Sequence, residues 1–291
     1  MDSAPLNVSQ ERSTGHYTKM YFQVQNKQAY ASTGGKAFDN GKPVIIFLHG
    51  SGLDHTFWGL HTRYFAFRNY AVLALDLPGH TFSEGPQLTS IEAMADWLND
   101  VVLALDINDI SLVGHSQGCL VALEYASRFP EGLRSASFIA SGLATPVNSA
   151  LIDSAQNKPE AAIAMMLSWG FGPAGHFHQG PIPGNSMMGG GTKVMCGNVP
   201  NELAADLIAC NAYRNGEAAA AAISVPRQVI LAGKDRMAPR KAGMALAQGL
   251  DHGHGEVEVH LIEKSGHMVP QEAPDQCRDL LKKFIFTNNP S

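Results

Sequence analysis

The stretch that most constrains this chain runs from Ile110 to Val121 and reads Ile-Ser-Leu-Val-Gly-His-Ser-Gln-Gly-Cys-Leu-Val. It opens as a short apolar run with β-branched residues, the pattern of a strand buried on both faces. It continues at helical spacing through Leu120, Leu123 and Tyr125 and stops at Pro130. Between the two lies Gly114-His115-Ser116-Gln117-Gly118. A strand can pass directly into a helix around a serine only through a strained backbone, with small neighbours two residues to either side. Such a turn lifts the Ser116 hydroxyl clear of the sheet at the start of the next helix. There the Gln117 N–H and the helix dipole favour a developing negative charge.

The strands around this unit imply its setting. Residues 43–48 and 70–75 are continuous apolar runs, and 136–140, 228–232 and 257–262 repeat the pattern. An amphipathic helix over 88–105 and helices over 238–249 and 274–286 alternate with them. That alternation predicts an α/β fold, a mostly parallel central sheet covered by helices on both faces. Met20 to Ala31 predicts a hairpin at the sheet edge, its strands meeting at Asn26-Lys27, while residues 1–18 are polar and carry no period.

Between 143 and 224 the alternation breaks. Helical patterns occur near 159–169 and 200–213 and in the alanine-rich 217–223. Residues 170–199 hold nine glycines and three prolines, with Met187, Met188 and Met195, and predict a lid, a binding loop or disorder. The expected organisation is therefore a core of 1–142 and 225–291 with a mainly helical cap, 143–224, inserted into it. The cap's apolar positions, including Met166 and Trp169, are expected to wall the site together with Trp58 and Met187.

Serine is a poor nucleophile unless a base lies in reach, and the base needs a third group to fix its tautomer. A base titrating near neutrality points to histidine. Among 12 histidines, His267 alone follows the last predicted strand in a Ser-Gly-His turn. His115 adjoins Ser116 but starts from the other side of the turn, where it is expected to pack or cap. After the 228–232 strand stands Asp235, whereas the loop after 136–140 offers only Ser141-Gly142. The order Ser116, Asp235, His267 is the one this architecture uses. The glycine-rich loop His49-Gly50-Ser51-Gly52 ends another central strand, and the N–H groups of Ser51 and Gln117 are the expected oxyanion donors.

The chain resembles the α/β-hydrolase family, in particular its capped, esterase-like members, over roughly residues 20–286. The likeness rests on the three motifs above together with Asp76-Leu77-Pro78-Gly79-His80 and Gly233-Lys234-Asp235. It implies Ser116 as nucleophile, Asp235 as acid and His267 as base. Thr81 stands where members commonly carry glycine. Serine at 116 sets the chain apart from dehalogenases and epoxide hydrolases of this fold, which use a carboxylate there. The activity implied is hydrolysis of a small or medium uncharged carboxylic ester, thioester or lactone through an acyl-enzyme. C–C bond hydrolases, perhydrolases, lyases and non-catalytic small-molecule receptors of this fold can carry the same three residues.

Composition removes other classes. The net charge is −5, with no basic run longer than Lys282-Lys283, so neither nucleic acid nor an anionic membrane is an expected partner. The N-terminus has no basic start followed by an apolar core, and no run reaches the roughly 20 apolar residues of a membrane span. The four cysteines lack metal-type spacing. The pairs His176/His178 and His252/His254 have no carboxylate or cysteine to complete a metal site and read as loop histidines. The expectation is a cytoplasmic monomer or homodimer acting on a small molecule, with no cofactor and no metal.

Overall fold

A computed structural model describes residues 9–12, 18–176, 184–198, 200–251 and 257–291. Among the described residues nine strands form one sheet: β1 (Ser9–Arg12), β2 (Thr18–Val24), β3 (Lys27–Ser32), β4 (Val44–Leu48), β5 (Ala71–Asp76), β6 (Ile110–His115), β7 (Leu133–Ile139), β8 (Arg227–Ala232) and β9 (Val257–Ile262). Their spatial order is β1-β2-β3-β5-β4-β6-β7-β8-β9. From β5 to β9 every pairing is parallel, and β1, β2 and β3 add an antiparallel edge.

The period of two along each strand separates two cores. Val44, Ile46 and Leu48 of β4 face one core with Leu73, Leu75 and Leu112, while Ile45 and Phe47 face the other with Val72 and Val113. The first core is covered by α2 (Ile91–Ala104) and α3 (Gln117–Arg128), the second by α1 (Gly59–Ala66) and α12 (Pro274–Asn288). In α2, Ile91, Met94, Ala95, Leu98, Val101 and Val102 form the buried stripe, and Ser90 caps its start by accepting the Ala93 N–H.

Between β7 and β8 the described residues form six helices: α4 (Ser149–Asn157), α5 (Pro159–Gly170), α6 (Pro173–His176), α7 (Met187–Met195), α8 (Glu202–Ala212) and α9 (Gly216–Ala222). Of these, α9 packs on α3 and on α10 (Arg240–Leu250), beside the sheet. The short α11 (Val269–Glu272) follows the β9 loop.

Three expectations need correction. The polar start is not featureless throughout, since Ser9–Arg12 pairs with β2. Residues 170–199 are not one open loop. The glycines 189–191 lie within α7, where Gly191 packs so closely on Leu167 that a Cβ would sit 2.6 Å from its Cδ2. The hairpin turns one residue earlier than expected, at Gln25-Asn26, both with positive φ (51° and 61°), as a two-residue turn matching strand twist requires. All four cysteines are free thiols. Among the described residues no helix is long and apolar enough to cross a membrane.

Candidate active site

Ser116 sits between β6 and α3 with φ 53° and ψ −117°, a strained conformation for a residue with a side chain. Its neighbours leave no alternative. A Cβ on Gly114 would lie 2.4 Å from the Gly118 carbonyl oxygen, and one on Gly118 would lie 2.4 Å from that of Leu48. The turn is fixed by the Ser116 N–H donating to Ile139 O (3.0 Å) and by the Ser141 hydroxyl donating to Ser116 O (3.1 Å).

His267 and Asp235 meet at the ends of β9 and β8. The His267 Nδ1 lies 2.8 Å from Asp235 Oδ2, and both side chains are buried. Asp235 Oδ1 accepts the Met237 and Ala238 N–H groups at 2.8 Å each, which fixes the carboxylate plane. The His267 backbone is held twice, its N–H donating to Gly170 O (2.7 Å) and its carbonyl accepting from His115 Nε2 (2.9 Å). That carbonyl can only accept, so His115 carries its proton on Nε2. Burial, with the nearby His267, pushes the His115 pKa well below its ordinary value and keeps the ring neutral. His115 therefore braces His267, with its own ring 4.5 Å from that of Phe57.

Ser116 and His267 line one cavity of about 230 Å³, and His267 Nε2 is buried without a partner among the described residues. Ser116 makes no hydrogen bond to that nitrogen here; such bonds often tighten only when substrate is bound. Ser51 lines the same cavity. Its loop passes close to the serine, since a Cβ on Gly50 would stand 3.1 Å from Ser116 Cβ. Among the described residues neither the Ser51 N–H nor the Gln117 N–H has a backbone or side-chain acceptor. His49 supports the loop from below, bonding Gly50 O through Nδ1 (2.9 Å) and accepting the Leu77 N–H at Nε2 (3.2 Å). Burial, helped by the neighbouring His80, lowers its pKa to about 4.

The remaining wall is mostly apolar and comes largely from the β7–β8 insertion: Val147, Leu151, Met166, Trp169 and Leu207, with Leu53 from the core. Arg236 also lines it, a charge that the apolar expectation omitted. Met166 and Trp169 line this cavity, whereas Trp58 and Met187 do not. Trp58 is fully buried against Phe47, Phe57 and His61, because the short helical turn His55–Trp58 directs it into the core beneath α1. Met187 borders a separate hollow with Phe57, Leu60 and Gly190, on α7, which packs against α5.

Sequence reasoning missed a second cluster. His80, Glu202 and Asp206 are buried together behind the Ser51 loop, with Glu202 and Asp206 one turn apart on α8. Thr81, at the position where glycine is common, has φ 36°, and its hydroxyl donates to Asp54 Oδ2 (2.9 Å). This cluster and Asp54/His55/Asp76 each bring three potential metal-ligand atoms within 4.8 Å. In both, however, the carboxylates already accept backbone N–H and imidazole hydrogen bonds. His176 bonds Ser168 O through Nε2 (3.0 Å), while His178, His252 and His254 lie outside the described residues.

The chain is 25% identical to mouse Protein ABHD8 over 250 residues, 84% of this chain and 55% of that protein. It thus spans about half the length of that relative, and less of the mycobacterial proteins it also matches. The enol-lactonase of Burkholderia xenovorans LB400 superimposes with a TM-score of 0.80 at 19% identity, covering 91% of this chain and 99% of that one. An esterase of Exiguobacterium antarcticum gives 0.79 at 14%, covering 91% and 98%. Those two likenesses are of fold. The model of the alpha/beta hydrolase family matches residues 45–280, and the chain belongs to that family.

Proposed function

We propose that the chain is a serine hydrolase that cleaves a small or medium carboxylic ester, thioester or lactone through an acyl-enzyme. The observation that carries this reading is the shared cavity: Ser116, on its strained turn, and His267, whose Nδ1 is held by Asp235, border the same apolar space. In the first half-reaction Ser116 Oγ bonds to the acyl carbon and gives its proton to His267 Nε2. The carbonyl oxygen becomes an oxyanion facing the Ser51 and Gln117 N–H groups. Collapse breaks the bond to the leaving alcohol, which takes the proton from Nε2. Water then repeats the sequence, its proton going to Nε2 and its oxygen to the acyl carbon. Release of the acid returns the proton to Ser116.

On this reading the β7–β8 insertion is the cap of the site, with Met166 and Trp169 against the acyl group. The hydrolase fold, with esterase and lactonase neighbours, supports it. The test is covalent labelling with a fluorophosphonate, with the modified peptide identified, alongside turnover of p-nitrophenyl esters. Label on Ser116, and loss of both label and turnover in Ser116→Ala, is the expected result. A variant that keeps a tenth of wild-type turnover overturns the assignment.

A further inference from the structure

The buried cluster behind the Ser51 loop has a place in this chemistry. One carboxylate on α8 reaches both sides of the oxyanion region. Asp206 Oδ2 accepts the Gly52 N–H (2.8 Å), and Oδ1 accepts Gln117 Nε2 (2.9 Å). Gly52 follows Ser51, so the first bond sets the orientation of the peptide next to one proposed donor. Gln117 supplies the other donor, so the second bond restrains the residue itself. Asn198 adds a third tie, its Nδ2 donating to Gly52 O (2.9 Å). Both polar groups of Gly52, whose φ is +71°, are therefore held by residues of the β7–β8 insertion. We infer that Asp206 is a positioning residue for the oxyanion hole, so that docking of α8 on the core completes the site; this rests on the hydrolase reading above.

A carboxylate this close to a developing oxyanion would oppose it unless its charge were compensated. His80 supplies the compensation. Its Nε2 lies 3.1 Å from Asp206 Oδ2 and contacts Glu202 Oε1, while its Nδ1 lies 3.2 Å from the Leu77 carbonyl. All these neighbours are acceptors, so both ring nitrogens donate and the ring is an imidazolium. Burial opposes that charge, but the two carboxylates outweigh it and hold the His80 pKa well above its ordinary value. Burial and the adjacent Asp206 push Glu202 up to about 8, whereas His80 overrides burial and keeps Asp206 low. The His80 imidazolium thus faces the carboxyl groups of both α8 residues and offsets the negative charge behind the donors.

A cluster that only anchored α8 would contribute to stability alone. A positioning role predicts a specific kinetic pattern, because the oxyanion contacts strengthen in the transition state. Asp206→Ala should lower kcat for a p-nitrophenyl ester about 10- to 100-fold, less than outright loss of a donor, with KM within threefold. Affinity for a boronic acid, which forms a tetrahedral adduct on serine, should fall by a similar factor. Asp206→Asn should recover most of both, since its amide oxygen can serve Gly52 while the Gln117 amide turns over. Asn198→Ala, which frees Gly52 O and removes the Asn198 bonds to Glu202 Oε2 and Thr81 but no charged group, should show the same split in weaker form and covers the case in which Asp206→Ala does not fold. Wild-type kcat in Asp206→Ala, or in Asn198→Ala together with Asp206→Asn, overturns the inference. So does a loss confined to KM. Wild-type protein that neither turns over esters nor takes the fluorophosphonate fails the hydrolase reading instead, and that control is run first.

Discussion

Replacing Asp235 by asparagine keeps the shape of the side chain and reverses one hydrogen bond, with an outcome that the local geometry dictates. Oδ1 accepts two backbone N–H groups, from Met237 and Ala238, at 2.8 Å each. An amide nitrogen cannot accept them, so the oxygen of the introduced amide must occupy that side and its NH₂ must face His267 Nδ1. His267 can then meet it only with a bare Nδ1, which moves the ring proton to Nε2, the atom that has to receive the proton from Ser116. On the proposed mechanism kcat for a p-nitrophenyl ester should fall by on the order of 10³–10⁴, or about 4–5.5 kcal/mol at 1.36 kcal/mol per decade. Stability should change little, because the two backbone bonds and the packing survive. His267→Ala should be as damaging, and the double variant hardly worse than either, since the two residues act as one unit. The assay is steady-state turnover, with folding of each variant checked by circular dichroism and thermal melting. A kcat within tenfold of wild type, or multiplicative losses in the double variant, would refute the reasoning.

Two further outcomes follow from burial. His61 on α1 is fully buried, neither ring nitrogen has a partner among the described residues, and burial, aided by Arg278, lowers its pKa from 6.5 to about 3. The unfolded chain takes up this proton first, so the stability tied to neutral His61 is present above pH 6.5 and is lost as pH falls toward 3. It amounts to about 2 kcal/mol at pH 5. Urea unfolding of His61→Leu should lose about that much less than wild type between pH 7 and 5, and parallel curves would count against a buried neutral ring. In an ester series from acetate to palmitate, the apolar cavity of about 230 Å³ should raise kcat/KM roughly threefold to fourfold per methylene until it fills. A maximum at the longest chains would point to an open surface instead.

What could be read from the sequence was local. Val44–Leu48 and Ile110–His115 are buried along their whole length, and a strand buried on both faces must be an unbroken apolar run. The Gly114-His115-Ser116-Gln117-Gly118 turn was equally legible, because only small residues fit where Gly114 meets Gly118. Asp235 and His267 could be paired because both follow strands of one parallel sheet. Contacts made by docking left no such trace. Nothing in the sequence sets Glu202 and Asp206, one turn apart on α8, apart from an exposed acidic pair, and only the packing of α8 on the Gly79-His80 loop buries them. In α7 the close approach of Gly191 to Leu167 overrides the poor helix propensity of three glycines. Trp58 follows the glycine-rich loop that carries the proposed oxyanion donor, yet a single helical turn rotates it into the core.

The same docking contacts limit how a cap can work here. If α8 holds the Ser51–Gly52 peptide, each turnover in which α8 lifted away would break the oxyanion region and part the buried His80 imidazolium from the carboxyl groups of Glu202 and Asp206. Burying unpaired charge costs several kcal/mol per ion, so a helix tied in this way behaves as a wall and not as a door. The ties extend past the cluster, since the Gln87 amide donates to Pro200 O just before α8 (2.9 Å). Passage of substrate then falls to the other side of the cavity, where Trp169 at the end of α5 is 37% exposed and Arg236 borders the same space. That side has its own constraint. Gly170 O accepts the His267 N–H (2.7 Å), and Glu272 Oε2 bridges the N–H groups of Gly172 (2.9 Å) and Gly266 (3.1 Å). The backbone at the end of α5 is thereby fastened to the loop that carries His267, the proposed base. Side-chain motion at the rim, by Trp169 and its neighbours, can admit a small acyl group while both fastenings hold, and this is the motion that a cavity of this size requires.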